Sequence, residues 1–155
     1  MKLLLIIIFI FSFENLSQAQ DKASDWPSGS SMYEGLKANE RRDSLLIELS
    51  KSHEELIDVV KKVKSSDSRL ITALKTQNDA WLSYSKQECE LVGSLSGAGG
   101  TWPSAYASLC HEKLVKERLQ IVKAATNCFQ KSELNNQNEC LYPLAGFYKL
   151  KQKQH

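Results

Sequence analysis

Cysteine is missing from the first half of the chain, and no C-x-x-C pair occurs in the second half. The histidines His53, His111 and His155 are scattered, so the ligand spacing of a zinc site is absent. The sequence also has no G-x-S-x-G, H-E-x-x-H, phosphate-loop or dinucleotide-binding signature. Nothing sets a base beside a nucleophile, as covalent catalysis requires. These absences point to a non-enzymatic protein with no catalytic residue, no metal and no cofactor. A formal net charge of +2 lacks the dense basic surface that nucleic acid selects. No apolar run reaches the roughly 20 residues that span a bilayer, so no stable membrane span is expected.

What is present begins with a leader. Met1-Lys2 precedes an apolar run from Leu3 to Phe13, and small residues follow at Ser17 and Ala19. A charged start, a short apolar core and small residues at the end mark residues 1–19 as a secretory signal peptide. Cleavage removes Lys2 and Glu14 together, leaving the net charge unchanged. Residues 20–31 are polar, with Pro27 and Gly29, and read as a mobile lead-in in which Trp26 is the one large apolar side chain. Residues 32–155 have the size of a single domain. Lys149, Lys151 and Lys153 form a solvated basic end.

An exported chain with an even cysteine number predicts disulfides. Cys89, Cys110, Cys128 and Cys140 allow three connectivities. Pairing Cys89 with Cys110 and Cys128 with Cys140 is preferred, because each pair joins sequence neighbours across a break in helical pattern. Each closure contributes about 3 kcal/mol when unstrained.

Helical periodicity dominates the rest. Between about Met32 and Lys64, Leu45, Leu49, Leu56, Val60 and Val63 recur at steps of three, four or seven. Glu54, Glu55 and Asp58 precede Lys61, Lys62 and Lys64, a pattern that supports a helix and forms either a solvated face or an acidic patch. Ser65 to Ser68 supply N-cap residues for a second helix, whose stripe of Leu70, Leu74, Gln77, Trp81, Tyr84 and Leu91 ends at Gly93. Residues 93–103 hold four glycines and must leave the helix. Trp102-Pro103 opens a third helix, with Thr101 or Ser104 as its cap. Trp102 either pins the loop to the hairpin or anchors a partner.

On the third helix, Ala107, Cys110, Leu114, Arg118, Ile121, Ala125 and Cys128 share one stripe. Arg118 on that stripe needs a carboxylate or carbonyl partner; Glu88 and Glu90 are nearest by topology, and snorkelling to water is the alternative. Asn135-Asn136 reads as a turn, and Cys140 opens an apolar closing segment, LYPLAGFY. The expected fold is all-α: a disulfide-stapled hairpin or bundle of about three helices with a short C-terminal closing segment. Trp81, Tyr84, Leu114 and Arg118 are its expected internal contacts.

Trp81-Leu82-Ser83-Tyr84, then Glu88-Cys89, the Gly99-Gly100 loop and Cys110-x-x-x-Leu114-x-x-x-Arg118-Leu119 resemble the LprI-type lysozyme inhibitor family of exported bacterial proteins. The resemblance covers about residues 70–122. The chain departs from the family pattern at Ser85, where an arginine is common, and in carrying Cys128 and Cys140 as an additional pair. The resemblance implies a periplasmic or secreted protein of the bacterial cell envelope that blocks a lysozyme. The candidate contact surface is the loop carrying Ser94, Ser96, Thr101, Trp102 and Tyr106. The competing expectation is a structural or adaptor domain that docks a cell-envelope protein.

Overall fold

The computed structural model describes residues 21–64, 67–132 and 137–146. The leader, Ser65-Ser66, the Asn135-Asn136 turn and the lysine end lie outside them. The described chain forms a 3-10 turn at Ala23–Asp25, helix α1 (Ser31–Val63), helix α2 (Ser68–Leu95), helix α3 (Trp102–Lys131) and a closing 3-10 segment, Gln137–Ala145.

Helix starts follow from capping chemistry. The Ser30 hydroxyl accepts from the Tyr33 amide at 3.2 Å, and the Asp67 carboxylate accepts from the Leu70 amide at 3.0 Å. Each satisfies an amide that the helix itself leaves unpaired. α3 begins differently, with Thr101 at its N-cap position and Pro103 in the first turn, where a missing N–H costs nothing. The Thr101 hydroxyl instead shares a hydrogen bond with Ser31, tying the start of α1 to the start of α3.

α3 is the central element. It packs on α1, on α2 and on the closing segment, whereas α1 and α2 scarcely touch. Its buried stripe of Val115, Leu119, Val122, Ala125 and Phe129 meets Leu49, Leu56, Ile57 and Val60 of α1, Leu74 of α2, and Cys140, Leu141 and Leu144 of the closing segment. Fully burying a side chain such as Leu56 or Val60 contributes at most about 1.5–3 kcal/mol. Across the surface of the α1–α3 contact, Arg41 Nε and Nη2 grip Glu112 at 2.6 and 2.8 Å, and Lys123 meets Glu48 at 2.5 Å. Exposed pairs of this kind fix orientation more than they stabilise.

Two differences from the sequence-based reading concern the ends of elements. The lead-in holds a turn in which Ala23 is fully buried, next to α1, and Asp25 accepts from the Lys22 amide at 3.1 Å. A small apolar side chain gives no periodic signal, so the sequence pattern missed this contact. α2 also continues past Gly93 to Leu95. Gly93 acts here by close approach: a Cβ at this position would lie 2.5 Å from the Pro103 carbonyl oxygen. The absent side chain lets the backbone of α2 approach the backbone of α3 at Pro103, and the Ala107 methyl, just before the loop.

Candidate functional site

The α2–α3 hairpin is fixed at its loop end. Cys89 and Cys110 are joined, with Cα atoms 5.4 Å apart, and Cys128 and Cys140 are joined at 5.6 Å. Helix α2 faces α3 there with Ser85, Cys89 and Gly93, all buried and all small. Spacing by fours turns the contact face away from the leucine stripe, and two apolar residues are left outside it: Tyr84, 57% exposed, and Leu91, 52% exposed. Tyr84 is therefore not the core residue that its place on the stripe predicts. Large side chains mark a stripe, but a close helix contact is built from small ones.

Trp81, Leu114 and Arg118 do lie inward, Trp81 and Leu114 half-buried and Arg118 buried. Arg118 finds neither Glu88 nor Glu90. Its Nη1 donates to the Leu144 carbonyl at 3.0 Å, its Nη2 donates to Gln77 Oε1, and its guanidinium carbon stands 5.3 Å from the Trp81 ring centroid. Gln77 Nε2 donates to the same Leu144 carbonyl at 2.9 Å. Gln77, the polar interruption of the α2 stripe, is thus the acceptor that Arg118 requires. Among the described residues no carboxylate partners the guanidinium, and burial lowers its pKa to about 10. The network ties α2 and α3 to the closing segment; it is a structural junction.

At the loop end the surface is apolar. Leu95 is 75% exposed, Val92 and Tyr106 are 41% exposed, and Trp102 is 36% exposed. Val92, Leu95, Tyr106, Leu109 and Lys113 surround a shallow depression of ≈ 580 Å³ backed by Cys110. The Trp102 and Tyr106 rings lie 5.7 Å apart at 31°. Trp102 therefore leans on its own helix while keeping a third of its surface open. Its amide donates to the Gly99 carbonyl at 3.4 Å, closing the loop, and Gly97 and Gly100 take the positive φ that the turn needs.

The expected hydroxyls are less available than the rings. Ser94 Oγ donates to the Glu90 carbonyl within α2, Ser96 Oγ accepts from the Ala98 amide, and Thr101 bonds Ser31. Sequence reasoning missed Val92, Leu95, Leu109 and Lys113. Leu95, two residues beyond the Gly93 at which the apolar stripe ends, carries a usable signal: an apolar residue with no stripe to join. The acidic Glu54 and Glu55 lie exposed on α1, and Asp58 pairs with Lys61 at 3.4 Å.

A second concavity, of ≈ 420 Å³, lies where α1 and α2 diverge over α3. Arg42, Lys86 and His111 line it, one from each helix. Among the described residues no cluster of His, Cys, Asp or Glu is placed to hold a metal ion, and no helix is long and apolar enough to cross a membrane.

No curated protein and no solved structure matches the chain. The family model described as lysozyme inhibitor LprI matches residues 32–121, more than half of the chain. That range extends the resemblance carried by the hairpin motif to nearly all of α1, the helix that supplies much of the core facing α3. The all-helical, doubly disulfide-linked protein described above belongs to the LprI lysozyme inhibitor family.

Proposed function

We propose that the protein is an exported, non-enzymatic inhibitor that blocks a lysozyme with the loop end of its α2–α3 hairpin, acting in the periplasm or outside the cell. The observation that carries this reading is the concentration of open apolar side chains, Val92, Leu95, Trp102 and Tyr106, on one disulfide-fixed end of the molecule. Exposed apolar patches mark interaction sites, and aromatic anchors dominate interface energetics. Membership of an inhibitor family supplies the partner class.

A lysozyme cleft is an elongated sugar-binding trough containing catalytic carboxylates. A protruding apolar end fills such a trough, and the exposed Lys113 at the margin of the depression offers a cation to those carboxylates. The Cys89–Cys110 link and the Gly93–Pro103 contact hold the end rigid before binding, which lowers the entropy lost on association.

The test is titration of several lysozymes with the oxidised mature protein, measuring cell-wall lysis. Stoichiometric inhibition of at least one is expected. Trp102→Ala with Leu95→Asp weakens it by about a hundredfold or more, as loss of two interface anchors does. Well-folded protein that inhibits no lysozyme, or a double variant that inhibits undiminished, overturns the reading.

A further inference from the structure

We propose that the groove between α1, α2 and α3 is a binding site for a small carboxylate of up to about monosaccharide size, held by Arg42, Lys86 and His111. This inference stands apart from lysozyme inhibition. On α3 the groove is floored by Ala107, Ser108 and His111, whereas the apolar end uses Tyr106, Leu109, Cys110 and Lys113. At 100° per residue these sets occupy opposite faces of the helix.

The groove exists because α1 and α2 both pack on α3 and scarcely on each other. Its floor is low because Ala107 and Ser108 are small. A volume of ≈ 420 Å³ falls in the range of small-molecule sites. Leu46 supplies an apolar wall, while Ser108 and the three nitrogen-bearing side chains supply polar contacts.

The charges converge from three helices. Arg42 is held in place rather than waving in solvent: its Nε and Nη2 donate to Asp43 Oδ1 at 2.9 and 2.6 Å, and its Nη1 donates to Asn39 Oδ1 at 2.7 Å. A guanidinium has five N–H groups, so two remain for a ligand. Lys86 brings a second full charge from α2. The opposing charges facing His111 are Asp43, already bonded to Arg42, and Glu90, which lines the groove.

His111 adds a proton-dependent element. Its Nε2 lies 3.4 Å from the hydroxyl of fully buried Ser85, and that hydroxyl donates to the Leu82 carbonyl at 3.0 Å. With that hydroxyl donating to Leu82, the tautomer that suits the contact carries its proton on Nε2 and leaves Nδ1 as the position of second protonation. Burial, then Arg42, hold the imidazole below its ordinary pKa; Asp43 pulls the other way, Lys86 lowers it further by less, and Glu90 opposes least. An anion in the groove offsets both lowering causes that involve charge. His111 then takes a proton from solvent as the carboxylate binds.

The experiment follows the His111 imidazole by NMR in the oxidised mature protein. N-acetylmuramic acid and acetate are the carboxylate probes, and N-acetylglucosamine, which has the same ring without the carboxylate, is the control. The carboxylates are expected to shift the His111 signal saturably and raise its titration midpoint, with the neutral sugar silent. Affinity for the acid falls by up to about tenfold per pH unit between the free and the raised midpoint, the linkage limit for one proton, and levels off above the raised one. Arg42→Gln and Lys86→Gln, each checked for an unchanged far-UV spectrum, weaken binding several-fold. Absence of saturation by either carboxylate, equal binding of the neutral sugar, or affinity independent of both cations overturns the proposal.

Discussion

Arg118 and Gln77 form a junction whose energetics run against a simple count of hydrogen bonds. Consider Arg118→Met, which keeps the bulk of the stem and removes the charge. The change loses donation to the Leu144 carbonyl and to Gln77, each about 1.5–3 kcal/mol for a charge-assisted bond. It also loses the contact with the Trp81 ring, about 0.5–2 kcal/mol. Against this stands recovery of the desolvation cost of a guanidinium buried without a carboxylate among the described residues, several kcal/mol. The terms nearly cancel, and Arg118→Met is expected to change stability by no more than about 1 kcal/mol.

Gln77→Leu leaves the charge in place and removes its acceptor. It also takes away the Gln77 amide that donates to Leu144. The expected cost is about 2–4 kcal/mol, that of a buried charge that has lost one of its two hydrogen-bond acceptors. Combining the two substitutions restores most of the loss, giving a coupling of about 2 kcal/mol between them. Urea unfolding at neutral pH with both disulfides intact measures all three variants, followed by far-UV circular dichroism and tryptophan fluorescence. A result in which Arg118→Met costs more than about 3 kcal/mol while Gln77→Leu is nearly neutral would refute the reasoning. The charge would then be a net stabiliser.

Gly93→Ala reverses the usual sign of a helical glycine replacement. In an exposed helix the change gains about 0.8–1 kcal/mol; here a Cβ 2.5 Å from the Pro103 carbonyl oxygen forces the hairpin apart, and thermal unfolding should show a loss of about 1–3 kcal/mol. His53 and His111 are both held below the ordinary imidazole pKa, chiefly by burial. The unfolded chain therefore takes up protons more readily than the folded one, so stability present above pH about 6.5 is lost as the pH falls below it. The urea midpoint should be lower at pH about 5 than at pH about 7.5, and His53→Gln should narrow that difference; a variant with an unchanged gap would remove His53 from the account.

The sequence made helix number, order and approximate bounds readable, because long amphipathic periods and capping residues such as Asp67 act locally. It also made readable that Arg118 needs a polar partner, since a charge on an apolar stripe cannot stay unpaired. The partner itself was not readable. Leu144 lies 26 residues away and Gln77 lies 41 away, and only the packing of three elements on α3 brings them together. Tyr84 went astray for a related reason: the face of α2 follows Ser85, Cys89 and Gly93, whose smallness is a cue for close contact and carries no hydropathy signal. The groove lined by Arg42, Lys86 and His111 was unreadable too, because each residue alone is an ordinary helix residue and only the divergence of α1 from α2 makes a cavity of them.

The central place of α3 also governs how the molecule recovers from opening. α2 is bonded to it near the loop end, and the closing segment is bonded to it near the other end. Both partners thus stay at a high effective concentration around α3 even when their side chains separate. Of the elements packed on α3, α1 alone is not bonded to it by a disulfide among the described residues. It follows α3's partners only through the chain connection to α2 at residues 64–67, and must search a larger volume to find its seat again. Amides of α1 near Leu56 and Val60 are therefore expected to show the slowest reclosing by hydrogen exchange, although they sit in the largest interface.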